Sequence, residues 1–280
     1  MNTIGLLKRY GIVPKKKLGQ NFLVCIEVAE REVRYADIQK DDVVLEIGPG
    51  LGVLTRKLAE RAKLVVAVEK DLRLKPVLEE VLAPYDNIQL FWEDILSFNP
   101  PPCTKIVSNL PYSISSPIIF WIMEKIPGFS RAVICCQKEF AKKLVALPGQ
   151  REYSRLSVVV GTRMRAEILE TLKPEVFFPP PEVDSALVRL EPKTGYQPKN
   201  PQFRLMTHIL FRHKRKKVKN AVLHHLSRFG GKQPETLLNR LEKTGLGERR
   251  VYTLSPEEID VLAAAFFDGE EEDGTDGENH

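Results

Sequence analysis

Residues 43–52 read Val43-Val44-Leu45-Glu46-Ile47-Gly48-Pro49-Gly50-Leu51-Gly52, and this stretch decides the fold. A short apolar run ends on glycines, after which Leu51, Leu54 and Leu58 recur at helical spacing. That is a strand, a tight turn and a helix. Working outward, Leu64-Val65-Val66-Ala67-Val68 is a second apolar run and Ile88-Gln89-Leu90-Phe91 a third. Lys105-Ile106-Val107-Ser108 is a fourth and Ala132-Val133-Ile134-Cys135-Cys136 a fifth. Strands this apolar, separated by helical patterns, are what a parallel sheet covered on both faces requires. Ser115 or Ser116 is placed to cap the helix after the fourth run, with Pro117 in its first turn. Glu167–Leu172 and Ser185–Leu190 read as two late strands, kept apart by Pro179-Pro180-Pro181, and add an antiparallel edge. The expected fold class is therefore α/β, with a sheet of seven strands, five or so of them parallel.

At one domain per roughly 150 residues, a chain of 280 suggests about two domains. A segment rich in Pro, Lys, Gly and Asn at 191–201 marks the boundary. We expect an α/β domain over 1–192 and a smaller helical domain over 199–267. Its helices are read at Phe203–Leu210, Val218–Phe229, Pro234–Thr244 and Pro256–Phe267, followed by an acidic, disordered tail over 268–280. No run approaches the roughly 18 apolar residues of a membrane helix, and no signal-peptide pattern opens the chain. A cytoplasmic protein without membrane contact is expected. Four cysteines form no CxxC pair and five histidines no HExxH, so reduced thiols and no metal site are expected. Adjacent His224 and His225 on a helix point about 100° apart and do not readily share one ion.

Charge points to a partner. The chain has 42 Lys and Arg against 37 Asp and Glu, and seven of those acids lie in 268–280, leaving 42 against 30 in the rest. Between Pro192 and Pro234 there are eleven Lys or Arg and no acid. The densest part is Arg212-His213-Lys214-Arg215-Lys216-Lys217-Val218-Lys219, and Lys15-Lys16-Lys17 forms a second cluster. Such clusters neutralise phosphates and give salt-dependent, largely sequence-blind affinity. A charge run is more usually a solvated helix face; the missing acids tip the balance toward RNA.

The glycine loop lets the backbone approach a ligand closely. Glu69 closes the second apolar run, twenty-one residues after Gly48, where an acid can accept hydrogen bonds from both ribose hydroxyls of a nucleoside. The pattern is GxGxG, not the GxGxxG of dinucleotide enzymes, and Glu46 precedes it. A carboxylate there repels phosphate and suits a cationic or zwitterionic ligand such as the sulfonium amino acid of S-adenosylmethionine. Asp94, after the third run, is placed to accept from an adenine amino group, although an Asp at such a point is more often a loop residue or cap.

Asn109-Leu110-Pro111-Tyr112 follows the fourth run. The exocyclic amine of adenine is a poor nucleophile because its lone pair is delocalised into the ring. The Asn109 side-chain carbonyl and the Leu110 backbone carbonyl can each accept one N–H of that amine and aim the lone pair at a methyl group. Pro111 stiffens the turn, and Tyr112 offers a ring on which an extruded base stacks.

With these motifs in order, the chain resembles the ribosomal RNA adenine dimethyltransferase family over about Leu18 to Phe267. It is also similar to the macrolide-resistance rRNA methylases and mitochondrial transcription factor B proteins. The resemblance includes Leu18-Gly19-Gln20-Asn21-Phe22-Leu23, the loop at 46–52, Glu69, Asp94, Asn109–Tyr112, Gln137-Lys138-Glu139 and Phe177–Ala186. It implies a Rossmann-like class I methyltransferase sheet with S-adenosylmethionine as cofactor. It further implies that Asn21 and Leu23 close the cofactor pocket, Gly48 and Gly50 border the methionine part, Glu69 holds the ribose and Asp94 the adenine. Asn109 would contact cofactor and target amine, with Phe177 packing on the face of the base opposite Tyr112. The implied activity is N6,N6-dimethylation of two adjacent adenosines near the 3′ end of small-subunit rRNA, on a pre-ribosomal particle, by a monomer. Lys15, Lys16, Lys17, Arg212, Lys214, Arg215, Lys216, Lys217 and Lys219 are the expected RNA contacts. Two other readings are weighed. A large-subunit rRNA adenine N6-methylase is disfavoured by the long basic segment and substantial C-terminal domain. A ribosome-assembly factor with a vestigial cofactor pocket is disfavoured by the intact acceptors and glycine loop.

Overall fold

The alternation of apolar runs and helical patterns resolves, in the computed structural model, into one mixed sheet; residues 3–229 and 233–267 are described. In chain order the strands are β1 (Phe22–Leu23), β2 (Val43–Ile47), β3 (Leu64–Val68), β4 (Ile88–Phe91), β5 (Lys105–Asn109), β6 (Arg131–Gln137), β7 (Met164–Leu172), β8 (Phe177–Phe178) and β9 (Ser185–Pro192). The helices are α1 (Thr3–Arg9), α2 (Ile26–Ala36), α3 (Val53–Ala59), α4 (Lys75–Leu82), α5 (Ser115–Lys125), α6 (Lys138–Val145), α7 (Arg155–Arg163), α8 (Phe203–Phe211), α9 (Val218–Leu223), α10 (Pro234–Thr244) and α11 (Pro256–Phe267). Among the described residues the large sheet has seven strands in the order β4-β3-β2-β5-β6-β9-β7. The first five are parallel; β9 runs antiparallel to both β6 and β7.

This order matters for function. β2 has β3 on one side and β5 on the other, so the chain reverses its winding direction there, and a crevice opens beyond the carboxyl ends of these strands. Val44, Leu45, Val65, Val66, Ile106 and Val107 are fully buried, as parallel strands covered on both faces must be. The Ser108 hydroxyl donates to the Ile47 carbonyl at 2.6 Å and satisfies a polar atom inside this core.

The chain divides into two compact units. One holds the residues up to Lys142 together with Met164–Pro192; the other holds Lys143–Arg163 with the residues from Lys193 onward. The second unit thus takes in 143–163, which the sequence reading had given to the α/β domain. The cause is packing: Tyr153 and Val158 share one apolar cluster with Phe203, Met206, Leu210, Leu262 and Phe266. Covering those side chains with α8 and α11 removes apolar area from water, and no linker composition reveals it. The expected tail at 268–280 lies outside the described residues.

Two local expectations change. No serine side chain caps α5; Ile114 holds the cap position and the Ser115 hydroxyl donates back to the Pro111 carbonyl at 3.2 Å. The helix expected over 218–229 ends at Leu223, with a separate turn of 3₁₀ helix at Leu226–Arg228.

Candidate active site

One cavity of about 220 Å³ lies at the carboxyl ends of β2, β3 and β5. The structure brings Asn21, Leu23, Gly48, Gly50, Glu69, Asp94, Asn109, Leu110, Pro111, Tyr112 and Phe177 to its lining. Gln20, Ile95, Ser113 and Cys135 line it as well, without having been read as site residues, and so do Glu46, read as suited to a cationic ligand, and Lys17, read as an RNA contact. Of the expected RNA contacts, only Lys17 borders this cavity among the described residues.

Glycine is required where the walls touch. Gly50 has φ +58°, and a Cβ there would stand 2.9 Å from Phe22 Cδ1. Gly19 has φ +64°, and its Cβ would stand 3.3 Å from the Tyr112 amide nitrogen and from Ser113 Oγ. The stretch from Gly19 into β1 therefore lies on both sides of the site, Gly19 on the Asn109–Tyr112 turn and Phe22 on the glycine loop. A polar chain fixes it further. Gln20 Nε2 donates to Asp71 Oδ2 at 2.7 Å, and the Asp71 amide donates to Glu69 Oε1 at 2.8 Å. Arg73 bridges Asp71 to the Val13 carbonyl.

The cavity floor is acidic. Glu46 and Glu69 are buried and make no ion pair among the described residues. Burial pushes the Glu46 carboxyl up to about 8 and the Glu69 carboxyl up to about 7, against the pull of the Asp71 and Gly50 amides on Glu69. One oxygen of Glu46, Oε2, is buried without a partner. Such a floor suits a cation and rejects a pyrophosphate. Asp94 already has work. Its Oδ2 accepts from Lys70 Nζ at 2.6 Å and its Oδ1 from the Leu96 amide at 3.0 Å. The cap that an Asp after a strand usually forms is present, and the same residue lines the cavity.

The Asn109 turn is held from several sides. The Leu110 amide donates to the Cys135 carbonyl at 2.9 Å, extending the β5–β6 ladder one step. The Tyr112 hydroxyl bonds Ser185 Oγ on β9. Asn109 Nδ2 donates to Glu32 Oε2 on α2 at 3.3 Å, whereas Asn109 Oδ1 is buried and unpartnered. An unpaired acceptor in a buried cavity is costly and calls for a ligand donor. Phe177 is only 3% exposed and packs with Leu23, Leu172 and Leu187, so it belongs to the core as well as to the cavity wall.

The basic residues fall into two groups, each in its own unit. Lys16 pairs with Glu182. In the helical unit a second cavity is lined by Arg215, Lys216, Lys217, Asn220, Leu223, His224 and Arg250. The acid-free window is not wholly uncompensated: Glu248, from outside it, pairs with Lys217 and Lys219 and is pulled down to about 2 by their hydrogen bonds. Lys214 turns inward instead, donating to the Arg151 and Tyr153 carbonyls at 2.9 and 3.0 Å. His213 lies against both His224 and His225, with ring centroids 4.7 and 5.3 Å away. No group of metal-ligating side chains is assembled among the described residues. No helix there is long and apolar enough to cross a membrane.

A family model described as ribosomal RNA adenine dimethylase matches residues 13–243. The chain is 41% identical over 264 residues to a probable ribosomal RNA small subunit methyltransferase A of Thermococcus onnurineus, covering 92% of this chain and 94% of that protein. Among solved structures, a dimethyladenosine transferase from Plasmodium falciparum superposes with a TM-score of 0.73 at 28% identity, covering 86% of this chain and 95% of that one. The 23S rRNA methyltransferase ErmE superposes with a TM-score of 0.65 at 30% identity, covering 88% and 99%.

Proposed function

Because the chain belongs to the ribosomal RNA adenine dimethylase family, we propose that it methylates N6 of two adjacent adenosines near the 3′ end of small-subunit rRNA, using S-adenosylmethionine. The product is N6,N6-dimethyladenosine, made on a pre-ribosomal particle in the cytoplasm by a monomer. The observation that carries this reading is Asn109, whose Oδ1 is buried and unpaired, in the lining of the same cavity as the glycine loop and Tyr112.

Each residue has a task. The Glu69 carboxylate accepts from the ribose hydroxyls, and Asp94 offers an acceptor to the adenine amine while keeping its cap. Gly48 and Gly50 bring backbone close to the methionine part, and the acidic floor at Glu46 favours its positive charge. Asn21 and Leu23 cover it. When bound, the cofactor supplies an electrophilic methyl on a cationic sulfur. Asn109 Oδ1 and the Leu110 carbonyl each accept one N–H of the target amine, which turns its lone pair out of the ring plane. Tyr112 and Phe177 grip the two faces of the extruded base, and Pro111 keeps the acceptors from swinging away. No general base is required, because the methylated amine is acidic enough to release its proton to water. In the second round the pocket must accept an amine that already carries one methyl and offers one N–H to the two acceptors.

The cavity lined by Arg215, Lys216, Lys217 and Arg250 supports phosphate contact by the helical unit. Lys15, Lys16 and Lys17 offer a second set, and Arg212 and Lys219 extend the first; Lys214 is instead held by the Arg151 and Tyr153 carbonyls. The test is incubation with labelled S-adenosylmethionine and unmodified small subunits, followed by nucleoside analysis and mapping. Label is expected as N6,N6-dimethyladenosine at two neighbouring adenosines near the 3′ end. Label in large-subunit rRNA, or none at all, overturns the reading.

A further inference from the structure

Glu32 is an acid on the apolar face of α2. Val28, Ala29, Val33 and Ala36 bury the same face, and Glu32 is itself fully buried. Its single hydrogen bond among the described residues is the one from Asn109 Nδ2, and its other oxygen, Oε1, has none. The neighbouring Arg31 is paired with Glu170 at 2.9 Å. A leucine or methionine at this place would fill the core without leaving a polar atom bare, and burying a carboxyl is unfavourable unless it is well bonded. The fold gains nothing evident from the acid.

The site does gain. An asparagine side chain is nearly symmetric in shape, and turning it by 180° exchanges its oxygen and its NH₂. With the NH₂ toward the cavity, Asn109 would repel the N–H groups of the target amine and donate to the lone pair that must react. We propose that Glu32 is a positioning residue for methyl transfer: by accepting the Nδ2–H of Asn109 from behind, it keeps Oδ1 turned toward the target amine. The inference rests on the role given to Asn109 above. Burial, with a smaller contribution from Glu46, pushes the Glu32 carboxyl up to about 8. A protonated carboxyl still has a carbonyl oxygen that accepts, so the role needs an acceptor and not a charge.

The experiment compares Glu32→Leu, Glu32→Asp, Glu32→Gln and Asn109→Ala in the full chain. Three quantities are read: the single-turnover rate of methyl transfer to unmodified small subunits, the Kd for S-adenosylmethionine, and the thermal midpoint. Glu32→Leu is expected to slow transfer by about 100-fold, the order of loss that misplacement of a reacting group brings, with cofactor Kd within about threefold. Its melting temperature should stay level or rise. Glu32→Asp, which withdraws the acceptor by one methylene but keeps the acid, should slow transfer by about tenfold even if the leucine variant folds poorly. Glu32→Gln should recover the rate to within about fivefold of the natural protein, since its side-chain carbonyl accepts the same hydrogen. Transfer at the natural rate in Glu32→Leu, or loss of cofactor affinity as large as the loss of rate, overturns the positioning role. So does failure of Glu32→Gln to outperform Glu32→Asp. A slow Asn109→Ala beside a fast Glu32→Leu removes this inference alone; a fast Asn109→Ala removes the underlying reading of Asn109.

Discussion

Leu23 and Phe177 stand directly opposite each other in an antiparallel ladder of two residues per strand, and both border the active-site cavity. The segment assigned to cover the cofactor and the ring assigned to grip the target base are thus joined by backbone hydrogen bonds across 154 positions of sequence. Phe22, the neighbour of Leu23, lies against Gly50. β1 and β8 thus place the two sides of the cavity in direct backbone contact.

Phe177 is a core residue, and substitution separates that duty from the proposed one against the target base. Phe177→Ala leaves a void among Leu23, Leu172 and Leu187 and is expected to cost about 3–5 kcal/mol of stability, read as a lower thermal midpoint. Phe177→Leu keeps most of the apolar volume and loses the ring face. It should fold with a much smaller loss yet slow transfer by about tenfold or more, the scale of one lost aromatic stack. An unchanged rate in Phe177→Leu would leave Phe177 a core residue only.

Gly50→Ala should damage the pocket although it adds one methyl group. The backbone there has φ +58°, and the new Cβ would press on Phe22 Cδ1. We expect a loss of about 1–3 kcal/mol in stability together with weaker S-adenosylmethionine binding. The companion variant Phe22→Ala in the Gly50→Ala background relieves the contact but not the backbone strain. It should restore cofactor affinity only in part, as isothermal titration will read.

Proton uptake gives a prediction with a definite sign. Glu32, Glu46 and Glu69 are raised by burial to about 8, 8 and 7 from an ordinary value of 4.5. Between about pH 4.5 and 8 these three carboxyls thus hold more protons in the folded chain than in the unfolded one, so their contribution to stability falls as pH rises through that window; His208, His213 and His225, lowered by burial, oppose it below their ordinary value of 6.5. The ligand-free protein should melt at a lower temperature at pH 8.5 than at pH 5.5. A cationic ligand favours the ionised carboxyls, so S-adenosylmethionine binding at pH 7 should release protons and tighten with rising pH. Calorimetry in buffers of different ionisation enthalpy measures the release; a pH-independent Kd would contradict the acidic floor.

The basic residues of the helical unit are expected to differ in kind. Arg215→Glu with Lys216→Glu should weaken binding to small subunits and flatten its salt dependence, with S-adenosylmethionine affinity unchanged. Lys214→Ala, which strips a donor from the Arg151 and Tyr153 carbonyls, should lower the melting temperature more than it changes the salt slope.

The parallel strands were legible because most are apolar on both faces and the edge strand β4 is apolar but for its exposed Gln89, and the residues after β2, β3, β4 and β5 because chemistry collects at strand ends. β1 and β8 were not: two residues each, they become strands only by meeting one another, and no local periodicity records that. The placement of 143–163 was hidden for a similar reason, since Tyr153 and Val158 find their partners in α8 and α11. Glu248 lay outside the window in which acids were sought, yet folding brings it to Lys217 and Lys219. Glu32 did leave a trace, an acid four residues after Val28 on an apolar stripe, but without the fold nothing ties it to Asn109.

The role proposed for Asn109 is to act on the target amine and not to retain the cofactor. Measuring single-turnover transfer and S-adenosylmethionine Kd together on Asn109→Ala tests it most directly. We predict a rate loss of about 100-fold or more with Kd changed by less than about fivefold. A parallel loss of rate and cofactor affinity, or a rate left intact, would contradict it.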